Sequence, residues 1–212
     1  MNPIRQQSSQ PEIYYPESNK NSIAETVFHF EQIFYLIETL KAHFHHQNNV
    51  YVSGRIKFHD EQKKTRRVFS PDVMIVKSVG NHLRQNYNVW QEKQFPQVIF
   101  EISSRRTWGE DLVKKWFLYQ QFGVKEYYIF DPEYDCLPEP FIAHRLKRGE
   151  LKQVSIKNNR IFSEEIGLEI VDTGEGLRLF NPETKQFMRT LSESENEVAR
   201  LQTELNKLKS QK

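Results

Sequence analysis

The chain has one cysteine, Cys136, among its 212 residues. That excludes an internal disulfide and a zinc site built from cysteines, and it suits a reducing compartment. Long apolar runs are missing as well. Nothing approaches the roughly 18 consecutive apolar residues that a membrane-spanning helix needs. The opening MNPIRQQSSQPEIYYPESNKNS lacks the apolar centre of a signal peptide, so a cytoplasmic location is expected. A strong charge of either sign is also lacking: 30 Lys and Arg against 28 Asp and Glu leave a net charge of +2. The overall balance therefore gives no argument for nucleic acid, and a basic surface would have to be local. Aromatic residues are plentiful, with 15 Phe, 9 Tyr and 3 Trp. The length suits one well-cored domain with additions better than two domains.

Residues 1–22, rich in Gln, Ser, Asn and Pro, read as a flexible N-terminal arm. From Ile23 to about His46 the pattern is helical, with Val27, Phe30, Phe34, Ile37 and Leu40 forming the apolar stripe. Ser22 and Glu25 have capping-box spacing. NVYVSGRIKFHD reads as a strand bent at Gly54, RRVFSPDVMIVK as a second strand after a QKKT turn, and PQVIFEIS as a third. Thr107 and Glu110 form a second capping box, opening a helix to about Phe122 that Gly123 ends in the left-handed conformation. KEYYIFDPE is a fourth strand. Strand, helix and strand over 97–131 make a crossover unit with two parallel neighbours. The remainder, through FIAHRLKRGELKQVSI and the GLEI and LRLFNPET stretches, reads as short antiparallel hairpins forming a β-rich appendage. In the last segment Leu191, Val198, Leu201, Leu205 and Leu208 repeat at heptad spacing, which predicts a short coiled-coil helix and self-association. The expected domains are an arm (1–22), a mixed α/β body (23–190) and a coiled-coil tail (191–212).

One strand contains a contradiction. In FPQVIFEISS, Glu101 stands among Val98, Ile99, Phe100 and Ile102, and a carboxylate in an apolar strand is costly unless paired. Asp72 follows Pro71 at the head of the strand VMIV. If the two strands are neighbours, both carboxylates reach one edge of the sheet, where their repulsion calls for a proton or a cation. A hard divalent ion held through oxygens satisfies it, with the Ile102 backbone carbonyl as a further ligand. Asp111, Lys115 and Tyr119 are spaced by four and share a helix face. Lys115 is placed to reach the same site and to offset charge on a pentavalent phosphate. Each residue has an alternative: Asp72 as a turn former, Glu101 paired with Arg105, Lys115 solvated with Lys114 in its role, and His29 facing either the site or the core.

SPDVMIVK, the run FEISSRRTWGEDLVKKWFLYQQFGVKEYYIFDPE, the later GLEI and LRLFNPET, and the coiled tail resemble the bacterial Uma-two family of restriction endonucleases, over nearly the whole chain from about Ile23 to the tail. The pattern D-L-x-x-K-x-x-x-Y-x-x-x-G-V-x-E-Y-x-x-x-D-P is the most specific part. The resemblance implies membership of the PD-(D/E)xK nuclease superfamily: a restriction-endonuclease-like fold, with a mixed central β-sheet flanked by helices. It implies a Mg²⁺- or Mn²⁺-dependent endonuclease cutting phosphodiester bonds in DNA. Asp72 matches the motif aspartate and Glu101 the motif glutamate. Ser103 occupies the usual lysine position, and the lysine moves to Lys115. An acidic residue on the first helix often assists in the superfamily, which points to Glu25, or alternatively Glu31. Trp108 and Gly109 replace a basic pair. Arg105, Arg106, Arg66 and Arg67 are the expected phosphate contacts, and a homodimer through the tail would present two sites to two strands. The alternative function is a catalytically inactive nuclease-fold module that binds nucleic acid or protein through the tail.

Overall fold

The computed structural model describes residues 26–60 and 68–210. Glu25, the Ser22–Glu25 capping box, the QKKT turn, Arg66 and Arg67 lie outside them. Helix α1 (Val27–His43) opens at Thr26, whose hydroxyl accepts the His29 N–H at 3.4 Å. Its inner face is not the expected stripe. Val27, Phe30 and Phe34 are exposed, whereas His29, Gln32, Ile33, Leu36, Thr39 and Leu40 are buried. The reason is a polar contact that apolar counting cannot register. The Gln32 amide accepts the Leu177 N–H at 2.8 Å and donates to the Leu177 carbonyl at 3.1 Å. A buried amide paired on both sides carries no unsatisfied group.

The strands in chain order are β1 (Val50–Ser53), β2 (Lys57–His59), β3 (Val68–Phe69), β4 (Val73–Lys77), β5 (Asn86–Asn88), β6 (Val98–Ile102), β7 (Glu126–Phe130), β8 (Phe141–Lys147), β9 (Glu150–Val154), β10 (Arg160–Phe162), β11 (Glu169–Asp172), β12 (Leu177–Asn181) and β13 (Gln186–Phe187). The central sheet has the order β1-β4-β6-β7-β8-β9. It is antiparallel except for β6 and β7, which run parallel across the helical connection expected between them. A small sheet, β3-β2-β5, and a four-stranded sheet, β10-β11-β12-β13, complete the body.

Three expectations change. The predicted bent strand at 50–59 is two strands in different sheets, β1 and β2. Gly54 makes the break: a Cβ there would stand 1.9 Å from the Asp72 carbonyl oxygen, so only glycine lets the two main chains approach this closely. RRVFSPDVMIVK likewise divides into β3 and β4 at Ser70–Pro71, since Pro71 has no N–H to continue a ladder. The 141–154 hairpin belongs to the central sheet, because β8 pairs with β7; the appendage is β10–β13 alone.

Two apolar layers cover the central sheet. On one face, Val73, Ile75, Val98, Phe100 and Ile102 pack with α1 through Leu36 and Leu40, and with the β10–β13 sheet through Ile170 and Leu179. On the other, Met74, Ile99 and Tyr127 meet Phe58 and Tyr87 of the small sheet and Tyr119 of the crossover helix. That helix consists of α3 (Trp108–Glu110), a π-helical turn at Asp111–Lys115 and α4 (Trp116–Gln121). Its expected capping box is not formed. The Thr107 hydroxyl accepts the Ser104 N–H instead, and the Glu110 N–H goes to the Thr107 carbonyl. Gly123 ends the helix at φ +70°, as its glycine character predicts. A short helix, α2 (Val89–Glu92), follows β5, and α5 (Leu191–Ser210) closes the described chain with none of its residues buried.

Candidate active site

Antiparallel pairing of β4 with β6 sets Val73 opposite Phe100. One residue further, Asp72 lies opposite Glu101. The alternation of side chains directs Glu101 to the face that carries Ile99, where the crossover helix packs. Glu101 is fully buried. Its Oε2 accepts the Lys115 ammonium at 2.9 Å, and its Oε1 accepts a short hydrogen bond of 2.5 Å from the Tyr119 hydroxyl. Lys115 Nζ also lies 2.7 Å from Asp111 Oδ1. Asp111 is buried too, and its Oδ2 accepts the Ser103 hydroxyl at 2.7 Å. Ser103 thus tethers the carboxylate that holds Lys115. Lys114 is exposed, and Arg105 pairs with Asp135 rather than with Glu101. Both open alternatives for Glu101 are decided in favour of Lys115.

Asp72 occupies the other side. Its Oδ2 accepts the Ile102 N–H at 2.9 Å. Its Oδ1 lies 3.1 Å from Arg55 Nη1 and 3.9 Å from His29 Nε2. His29 therefore faces the site and not only the core. Glu31 does not: it lines a groove of about 860 Å³ between α1, the β11–β12 turn and the start of α5, which contains none of Asp72, Glu101, Asp111 or Lys115.

A surplus of negative charge governs the cluster. Burial drives the Glu101 carboxyl well above the usual glutamate range; Lys115 works against the shift, and Asp72 and Asp111 add to it. Burial alone would lower the Lys115 pKa, but Glu101 and Asp111 outweigh it and hold the ammonium firmly protonated. Both shifts are upward, driven chiefly by burial at Glu101 and by the two neighbouring carboxylates at Lys115. Burial also works to raise Asp72. The neighbouring imidazole of His29, the charge of Lys115 and the Ile102 N–H overcome it and leave Asp72 below the usual aspartate range.

This donor set suits a hard divalent cation. Asp72, Glu101 and Asp111 offer carboxylate oxygens, and buried Asp111 Oδ1 makes no aligned hydrogen bond despite its proximity to Lys115. Each carboxylate oxygen of Asp72 and Glu101 retains a lone pair after its protein partner is counted. Among the described residues, no three of these side chains bring ligand atoms within 4.8 Å of one another. A small cation here would complete its shell with water or substrate oxygens, as Mg²⁺ commonly does.

Residues 21–170 match the model of the Uma2 family, described as "Putative restriction endonuclease". The chain belongs to the Uma2 family. A solved structure from Anabaena variabilis ATCC 29413, described as a putative nuclease belonging to DUF820, superposes with a TM-score of 0.50 at 11% identity, covering 67% of this chain and 75% of that one. At that identity it establishes the shared fold alone. No curated protein matches the chain. The Uma2 match ends before β12, β13 and α5, so the likeness expected over LRLFNPET and the coiled tail lies outside the matched region.

Elsewhere in this Uma2 chain, Asp131, Asp135 and Cys136 bring ligand atoms within 4.8 Å of one another. Asp131 is engaged by the turn itself: it accepts the N–H groups of Glu133, Asp135, Cys136 and Leu137. Asp135 is taken by Arg105. The cluster closes the loop after β7.

The sequence placed Asp111 and Tyr119 on one helix face with Lys115 and put Ser103 at the motif position without lysine, but gave none of the three a partner. Arg55 carried no signal. Arg55 reaches Asp72 only because β1 and β2 separate at Gly54, and the partner of Ser103 is set by the π-helical turn, a feature that recurs at functional sites.

Proposed function

We propose that this Uma2 protein is a metal-dependent endonuclease that hydrolyses phosphodiester bonds in DNA. The observation that carries the proposal is the Lys115 ammonium, held between two buried carboxylates beside a third, on the carboxyl end of β6. Asp72 and Glu101 would hold Mg²⁺ or Mn²⁺, with the Ile102 carbonyl as a further oxygen ligand. Such an ion would polarise a phosphoryl oxygen and acidify a bound water. Tyr119 orients Glu101, and the Ile102 N–H fixes Asp72. Lys115 offsets the charge that develops on the phosphorane. Arg105 and Arg106, both exposed, are suited to sequence-independent phosphate contacts.

The partner beyond DNA is a second copy. Val198, Leu201, Leu205 and Leu208 of α5 are all at least half exposed, and their heptad seam has no covering element within the described chain. A coiled-coil homodimer covers it and presents two sites to two strands. Access to DNA and a lone cysteine are consistent with the cytoplasm. Among the described residues, no helix is long and apolar enough to cross a membrane.

The decisive experiment is cleavage of supercoiled plasmid in Mg²⁺ and in Mn²⁺. Asp72→Ala and Lys115→Ala should each lower the rate at least about a hundredfold. Activity that survives both changes would refute the reading. One observation favours the inactive-module alternative: Lys115 pairs with both Glu101 and Asp111. No Mn²⁺ binding by calorimetry, together with no cleavage, would establish that alternative.

A further inference from the structure

We propose that Tyr127 is a positioning residue of the site: its hydroxyl holds the π-helical turn in the form that sets the Lys115 amine between Glu101 and Asp111. The inference rests on the nuclease reading above and adds to it the residue that fixes the lysine from outside its own helix.

Tyr127 lies on β7, opposite Ile99 of β6 and His144 of β8. It is fully buried on the face of the sheet that carries the crossover helix. A buried tyrosine hydroxyl needs an acceptor in any fold. The acceptor here is the main-chain carbonyl of Asp111, at 2.9 Å. Asp111 is the first residue of the π-helical turn. Burial, with the charges of Glu101, Asp111 and Asp72 adding to it, raises the hydroxyl well above the usual tyrosine range, so it stays a donor.

Asp111 is thus gripped at three atoms. Its N–H donates to the Thr107 carbonyl at 3.0 Å, its Oδ2 accepts the Ser103 hydroxyl at 2.7 Å, and its carbonyl accepts the Tyr127 hydroxyl. The turn that follows needs such support. A π turn closes i→i+5 and is rare, and here α-helical segments flank it on both sides. Relaxation to an α turn would rotate Lys115 about the helix axis relative to Asp111. The ammonium lies 2.7 Å from Asp111 Oδ1 and 2.9 Å from Glu101 Oε2, and a rotated side chain could not keep both contacts. A carbonyl has two lone pairs, so a donor from the sheet engages Asp111 without displacing a bond of the helix.

The Tyr127 ring is itself held on two sides. It stacks on His144 at 5.8 Å and meets Tyr119 edge-on at 5.1 Å. Tyr119 in turn donates to Glu101 Oε1. Two tyrosines in contact therefore hold the two residues between which Lys115 sits, Glu101 by its side chain and Asp111 by its main chain.

The test is Tyr127→Phe, which keeps the ring contacts and removes only the hydroxyl. Cleavage of supercoiled plasmid in Mn²⁺ should show kcat lowered about five- to tenfold, the scale of one hydrogen bond, with KM and Mn²⁺ affinity changed less than about twofold. In the Lys115→Ala background the same change should slow cleavage by less than about twofold, because its effect passes through the amine. A hydroxyl that only supports the fold gives the same factor in both backgrounds. That result, or an unchanged kcat, overturns the role of Tyr127 and leaves the nuclease reading standing. Absence of cleavage by the wild type overturns the nuclease reading instead, and the placement of the amine is then read by nitrogen-15 NMR of lysine-labelled protein. The Lys115 ammonium signal, identified by its loss in Lys115→Ala, should be shifted or exchange-broadened in Tyr127→Phe; an identical signal overturns the proposal.

Discussion

Lys115→Met strands two buried carboxylates in one step. Glu101 is fully buried and Asp111 nearly so, and each loses the ammonium that lies within 3 Å of it. Removing one partner of a buried pair typically costs about 3–5 kcal/mol. Lys115 is 19% exposed, so water reaches part of the vacated space, and the lower end of that range, about 3 kcal/mol, applies. For a chain of this size, that corresponds to a fall in Tm of roughly 6–12 °C near neutral pH. The sign of the pH dependence follows from Glu101. Its folded-state pKa already lies above its ordinary value, and loss of the ammonium raises it further. A raised carboxyl contributes stability fully below the usual glutamate range and loses it as pH rises through the folded value. The deficit of Lys115→Met should therefore be largest at pH 8 and shrink towards pH 5. Thermal unfolding followed by circular dichroism at both pH values measures it. Combining Lys115→Met with Glu101→Gln removes one stranded charge and should recover part of the loss at pH 8. A shift below about 2 °C at pH 8, or an equal shift at both pH values, would refute the charge argument.

Tyr119→Phe removes the hydroxyl that donates to Glu101. It should cost about 1–2 kcal/mol in denaturant unfolding and lower kcat more than it raises KM; an unchanged kcat would mean that Tyr119 does not orient the carboxylate. Gly54→Ala places a Cβ 1.9 Å from a backbone oxygen of Asp72. It should destabilise the protein by about 3 kcal/mol or more and abolish Mn²⁺ binding by displacing Asp72; a wild-type melting curve would show that the β1–β2 link yields freely. Deleting α5 should change the melting temperature little, since none of its residues is buried, yet shift the sedimentation coefficient from dimer to monomer. An unchanged sedimentation coefficient would place the dimer contact elsewhere or remove it.

Local pattern alone determined a good deal of this protein. The strand–helix–strand unit between residues 97 and 131 is legible because two apolar strands, each buried on both faces, flank a helical segment and Gly123 marks its stop with a left-handed backbone. The heptad seam of α5 is equally local. So is the suspicion attached to Glu101, since a carboxylate between Phe100 and Ile102 conflicts with its neighbours wherever the strand goes. The tertiary structure decided what that conflict was for. Whether Asp72 met Glu101 depended on the β4–β6 register, and whether Lys114 or Lys115 filled the gap depended on how the π-helical turn rotated the crossover helix. The inner face of α1 was misjudged from sequence because Gln32 is buried by its contact with Leu177, 145 positions away. Apolar periodicity records which side of an element avoids water. The partner that makes a buried polar group tolerable is set by chain segments far apart in sequence, and the site is assembled from such groups.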